Sequence, residues 1–131
     1  MFNNNERDNM YKVIRWQADV DNTQEIWEAQ SKPTLDQLYK LIGCRTIERQ
    51  SGYDKDISNR TFDMWMDEES KMKGAEFIKK NIRGTNAWFR WMTRTDHINI
   101  PGDFIAGNVV IYKKNNEQQS KDYKKLSTYN L

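Results

Sequence analysis

Two short blocks, remote from each other in the chain, set the architecture. In Thr61 to Met66 the side chains alternate: Phe62, Met64 and Met66 share one face, and Thr61, Asp63 and Trp65 share the other. That is the period of a strand, with the first set turned to a core. The strand runs into the acidic turn Asp67-Glu68-Glu69-Ser70. Asn108 to Tyr112 is the most β-prone stretch of the chain, dense in branched residues. Strands this far apart imply a small sheet assembled from distant segments.

The strongest local signal lies between Pro33 and Gly43. Thr34 is a suitable N-cap, and Gln37 stands at the third helical position, the spacing of a capping box. Leu35, Leu38, Tyr39 and Ile42 follow at i, i+3, i+4 and i+7, one apolar stripe. Gly43 fits the left-handed residue that ends a helix. Ahead of this helix, Met10 to Trp16 reads as a strand, and Asp19-Val20-Asp21-Asn22 supplies turn chemistry. Thr23 to Ala29 then reads as a returning strand or a short helix. After it, Cys44 to Gln50 reads as a strand and Gly52 to Arg60 as a loop. Ala75 to Thr95 prefers helix but is interrupted at Gly84, and Pro101-Gly102-Asp103 is a turn.

The 131 residues are long enough to bury a core, although only 37% are hydrophobic and the mean hydropathy is -1.01. Five Trp, six Tyr and five Phe argue against disorder, because disordered chains are poor in aromatics and each ring buries a large area. The expected organisation is a flexible terminus over 1–9, a single α+β domain over 10–113, and a basic, polar, flexible tail over 114–131. The expected fold is a small, mainly antiparallel sheet of about four to six strands, with one or two helices packed on one face. Its expected core is Val13, Ile26, Leu35, Leu38, Ile42, Ile47, Phe62, Met64, Met66, Trp88, Ile105, Val109 and Ile111.

Charge is unevenly spread about a formal net of +2. Acids dominate from Asp54 to Glu69. Bases dominate from Lys71 to Arg94 and return after Lys113 with Lys114, Lys121, Lys124 and Lys125. Such asymmetry fits either a solvated face or an anionic partner. The single Cys44 forms no internal disulfide, and Phe2 is followed by Asn3-Asn4-Asn5-Glu6-Arg7-Asp8 rather than an apolar leader. Both point to a reducing, cytoplasmic setting and to no membrane.

The order of these pieces resembles a family of small viral proteins. It runs through the helix Leu35-x-x-Leu38-x-x-Leu41-Ile42-Gly43, a strand through Ile47-Glu48, the block Met66-Asp67-Glu68-Glu69-Ser70-Lys71, and a closing Ile105-Ala106-Gly107-Asn108-Val109-Val110. Over roughly residues 10–113 it is similar to domain-of-unknown-function family 3846, found in phages and large DNA viruses. Cys44 and Ser70 stand where that family usually has Gly. The resemblance implies a viral origin and an α+β fold, and it brings no activity and no site residues.

Catalysis has little support. His97 follows Asp96 directly, which points the two side chains apart, and no nucleophile motif accompanies them. Asp63, Asp67, Glu68 and Glu69 are hard-oxygen donors but an incomplete set for calcium or magnesium, and one Cys with one His makes no zinc site. No phosphate-binding glycine loop is present. The chain therefore reads as a non-enzymatic accessory protein without a cofactor, binding a host protein or a nucleic acid. For the second partner the candidate surface is Lys79, Lys80, Arg83, Trp88, Arg90, Trp91 and Arg94, where rings interleave with cations as single-strand binding requires. The competing reading puts Trp88 and Trp91 in the core and leaves the arginines solvated.

Overall fold

The structure, a computed structural model, describes residues 9–54, 60–70, 79–94 and 104–114. Five strands and two helices follow in the order β1 (Tyr11–Trp16), β2 (Gln24–Ala29), α1 (Leu35–Ile42), β3 (Ile47–Asp54), β4 (Arg60–Asp67), α2 (Ile82–Arg94) and β5 (Val109–Lys114). The strands form one sheet in the order β2-β1-β5-β4-β3, and every neighbouring pair is antiparallel. This is the small α+β fold that the sequence predicts. Two local hairpins, β1–β2 and β3–β4, are joined by β5, the last strand in sequence and the middle one in space. Among the described residues no helix is long and apolar enough to cross a membrane.

The helices divide between the two faces of the sheet, where the sequence reading puts them on one. Alternation along the strands shows the division. Ile14, Trp16, Met64, Met66, Val109 and Ile111 point to one face, where Ala87 and Trp88 of α2 pack with Ile105. Val13 and Val110 point to the other, under Leu38 and Ile42 of α1. A sheet covered on both sides buries consecutive residues, which explains why Val13 and Ile14 are both fully buried and why β5 opens Val109-Val110-Ile111.

Helix α1 is built as its sequence dictates. Thr34 Oγ1 accepts from Gln37 N, Gln37 Oε1 accepts from Thr34 N, and Gly43 closes the helix at φ 78°. Its burial differs from the predicted stripe: Leu38 and Ile42 are buried, but Leu35 is 55% exposed, so the later turns carry the packing. Ile26 is likewise 45% exposed. Its register partner is Ile14, on the α2 face, but α2 packs toward β3 and leaves the β2 end uncovered. Of the other predicted core residues, Val13, Leu38, Ile42, Met64, Met66, Ile105, Val109 and Ile111 are buried, and Ile47 and Trp88 pack against the core. The side chain of Phe62 lies outside the described part.

Two boundaries also move. β3 continues through Gly52-Tyr53-Asp54, read from sequence as a loop, because β4 pairs with it as far as Asp54↔Arg60; residues 55–59 lie outside the described set. Helix α2 passes through Gly84 without interruption. The expected turn at Pro101-Gly102-Asp103, the resumption at Lys71-Met72-Lys73, the termini at 1–8 and 115–131, and Asp96 with His97 all lie outside the described residues.

Candidate functional site

The predicted surface begins where α2 begins, and the structure gives that end a structural task. Asn81 is fully buried and caps the helix, its Oδ1 accepting from Gly84 N at 3.0 Å. The same oxygen accepts from Asn22 Nδ2 at 3.0 Å, while Asn81 Nδ2 donates to Trp16 O and Gly107 O. Asn22 sits in the β1–β2 turn at φ 47°, a backbone state that Asn tolerates better than most residues. It accepts from Arg83 N at 2.7 Å and, through its carbonyl, from Arg83 Nε at 3.0 Å. Arg83 thus helps to lock α2 onto the hairpin turn. Below that turn, hydrogen bonds from the Thr23 hydroxyl and amide hold the exposed Asp19 carboxyl below its usual pKa.

Lys79 and Lys80 are exposed beside this joint. Trp88 packs against the core, tilted against Phe89 at 5.1 Å between ring centroids. Its Nε1 is buried with no hydrogen-bond partner. An unpaired buried donor costs about 1–3 kcal/mol. Arg90, Trp91 and Arg94 belong to the backbone of α2, and their side chains lie outside the described part. Of the seven predicted residues the structure therefore brings Lys79, Lys80 and Arg83 to the start of α2 and places Trp88 against the sheet.

A different aromatic surface emerges on the α1 face, across four adjacent strands. Tyr11 of β1, Tyr112 of β5 and Trp65 of β4 form a row. Tyr11 meets Tyr112 edge-on at 6.3 Å, and Trp65 lies parallel to Tyr112, 6.3 Å away with an 8° interplanar angle. Arg49 of β3 extends the row, its guanidinium carbon 5.9 Å from the Trp65 ring centre. Arg49 is exposed, and all three rings are partly exposed. Lys114, also exposed, is the register partner of Tyr11 at the other end. One acid enters the row: Asp63 Oδ2 lies 3.8 Å from Arg49 Nη1. Burial raises the Tyr112 pKa above the usual phenol value, with Asp63 and Tyr11 adding and Arg49 opposing.

Three structural facts produce this row. β5 stands between β1 and β4, the register puts Val110 opposite Trp65 and Val13 opposite Tyr112, and Trp65 and Tyr112 pack at the edge of the α1 core, so that their rings stay only partly buried. The sequence offers the residues as strand aromatics but does not say which strands adjoin, so the row was missed. The same face holds an apolar groove of about 340 Å³ between β2 and α1, lined by Trp27, Ala29, Pro33, Gln37, Lys40 and Leu41.

The acidic turn is a compact loop. Asp67 is buried and Oδ1 accepts from Glu69 N at 2.9 Å. Among the described residues no three His, Cys, Asp or Glu side chains stand together as metal donors.

No family model, curated protein or solved structure matches this chain.

Proposed function

We propose that the protein is a non-enzymatic accessory protein of a phage or large DNA virus, acting in the host cytoplasm, that binds single-stranded nucleic acid on its sheet. The observation that carries the binding reading is the row Tyr11–Tyr112–Trp65–Arg49 beside Lys114, partly open to solvent. Flat rings on neighbouring strands accept unstacked bases, each worth about 1–3 kcal/mol by alanine substitution. Cations at the ends take the phosphates, and past Lys114 the sequence adds Lys121, Lys124 and Lys125. A duplex keeps its base faces stacked and gains little from such a row. The viral and cytoplasmic parts of the proposal rest on the resemblance to domain-of-unknown-function family 3846 and on the lone Cys44.

The test is fluorescence anisotropy with labelled single-stranded and duplex oligonucleotides at two salt concentrations. The expected result is salt-sensitive binding that prefers single strands. Trp65→Ala and Tyr112→Ala should each weaken it about fivefold or more, while Lys79→Ala with Lys80→Ala costs little. No binding at low salt overturns the proposal. Binding indifferent to the rings but lost with the two lysines moves the site to the start of α2. A second reading is a host protein partner, favoured by the apolar groove at Trp27 and Leu41 beside β2, a strand that ends the sheet. Capture of a host protein that Trp27→Ala abolishes, with no oligonucleotide bound, decides for that reading.

A further inference from the structure

On the opposite face of the sheet, beside α2, the strand ends and residues 104–106 line a partly open pocket of about 160 Å³. Its walls include Trp88 and Phe104, and its polar lining includes Glu48, Gln50 and Glu68. We propose that this pocket binds a small alkylammonium cation between its aromatic walls and its two carboxylates.

Three observations converge on that chemistry. First, size: the volume is about five waters' worth and falls below the usual range for a drug-sized ligand, so it suits one head group rather than a nucleotide or an extended cofactor. Second, charge: the charged residues of the lining are acidic, and neither carboxylate has an ion-pair partner among the described residues. Glu48 is held by Gln50, whose Nε2 donates to its Oε2 at 3.3 Å, and Glu68 is anchored through its amide to Thr46 O. Lys80, whose backbone bridges to Ala106, is exposed and stays outside the lining. Third, the walls: aromatic rings attract cations through their negative faces, and quaternary or methylated ammonium groups are the ligands such cages take. A bare metal ion is a poorer fit, because rings offer it no donor atoms.

Two sources present this head group: a free aminoalcohol such as choline, and a methylated lysine side chain of a partner protein. The indole N–H resonance of Trp88, assigned by its loss in Trp88→Phe, reports on the pocket directly. The protein is titrated with choline chloride, with N-acetyl-trimethyllysine amide, with sodium chloride at matched ionic strength and with sodium acetate. Saturable movement of the Trp88 signal by either ammonium ligand, with millimolar affinity, supports the site, and the tighter of the two identifies the source. Replacing both acids (Glu48→Gln with Glu68→Gln) should weaken that binding about tenfold without disturbing the rest of the spectrum. The proposal is overturned if neither ammonium moves the signal beyond the sodium chloride control, if acetate moves it instead, or if the double variant binds as tightly as the parent.

Discussion

At the scale of single residues, Asn81 has the largest structural role in the described molecule. Its fully buried side chain serves four partners, so its loss leaves two carbonyls and two donors to find others. Asn81→Ala should lower stability by about 3–5 kcal/mol, read from the urea midpoint, because each buried polar group left unpaired costs about 1–3 kcal/mol. The exposed neighbour variant Lys80→Ala should stay within about 0.5 kcal/mol of the parent. Gly84 is tied to the same cap. A Cβ there would stand 3.3 Å from Asn81 Cγ, Asn81 Oδ1 and Ile105 Cγ2, atoms fixed by hydrogen bonds and core packing. Helix propensity favours Ala by about 1 kcal/mol, yet crowding a packed site costs about 1–3 kcal/mol, so Gly84→Ala should come out neutral to destabilising rather than stabilising. The sequence shows Gly84 as an interruption because propensity sees the missing side chain and not the close approach that requires it. Tyr112 gives the pH prediction. Its raised pKa means that the folded state favours the neutral phenol, so this contribution is full below pH ~10 and is lost as pH rises through the raised value. Melting temperature should fall more steeply above pH ~10 for the parent than for Tyr112→Phe; equal slopes would assign the alkaline loss to other groups.

At the scale of elements, the two helices mark what a sequence does and does not reveal. Helix α1 was legible from cap to cap because its signals are local: a capping box, an apolar repeat and a terminal glycine all lie within eleven positions from Pro33 to Gly43. Thr34→Ala should cost about 1 kcal/mol. Gly43→Ala should cost about as much, although nothing crowds its Cβ, since φ 78° strains any L side chain. Hydrogen exchange at Gln37 N and Leu38 N should speed up in the first variant before that in β1. What failed at this scale was orientation. The stripe in α1 named Leu35, which the last turns leave outside, and Ile26 was assigned to a core that α2 does not reach. Both errors come from neighbours that no local pattern specifies. The candidate site divides in the same way. Lys79, Lys80 and Arg83 stood out because they are close in sequence, whereas Tyr11, Trp65 and Tyr112 meet only after two long-range pairings are made.

At the scale of the molecule, β5 holds the two hairpins together. Removing its pairings would leave two separate hairpins, β1–β2 and β3–β4, neither of them an independent sheet of useful size. Its residues also belong to both cores: Val110 lies under α1, and Val109 and Ile111 lie under α2. The two faces should therefore unfold together. Ile111→Ala removes methylenes from the α2 core and should cost about 2–5 kcal/mol, and Val110→Ala, on the α1 core, somewhat less. The informative readout is coincidence. In each variant the unfolding midpoint is followed by the Trp65 indole signal on the α1 face and by the Trp88 signal on the α2 face. One shared midpoint in both variants means that β5 transmits a defect on one face to the other. A midpoint that moves for Trp88 but not for Trp65 in Ile111→Ala would mean that the faces are separate cooperative units, and that the aromatic row can persist when the pocket beside α2 is lost.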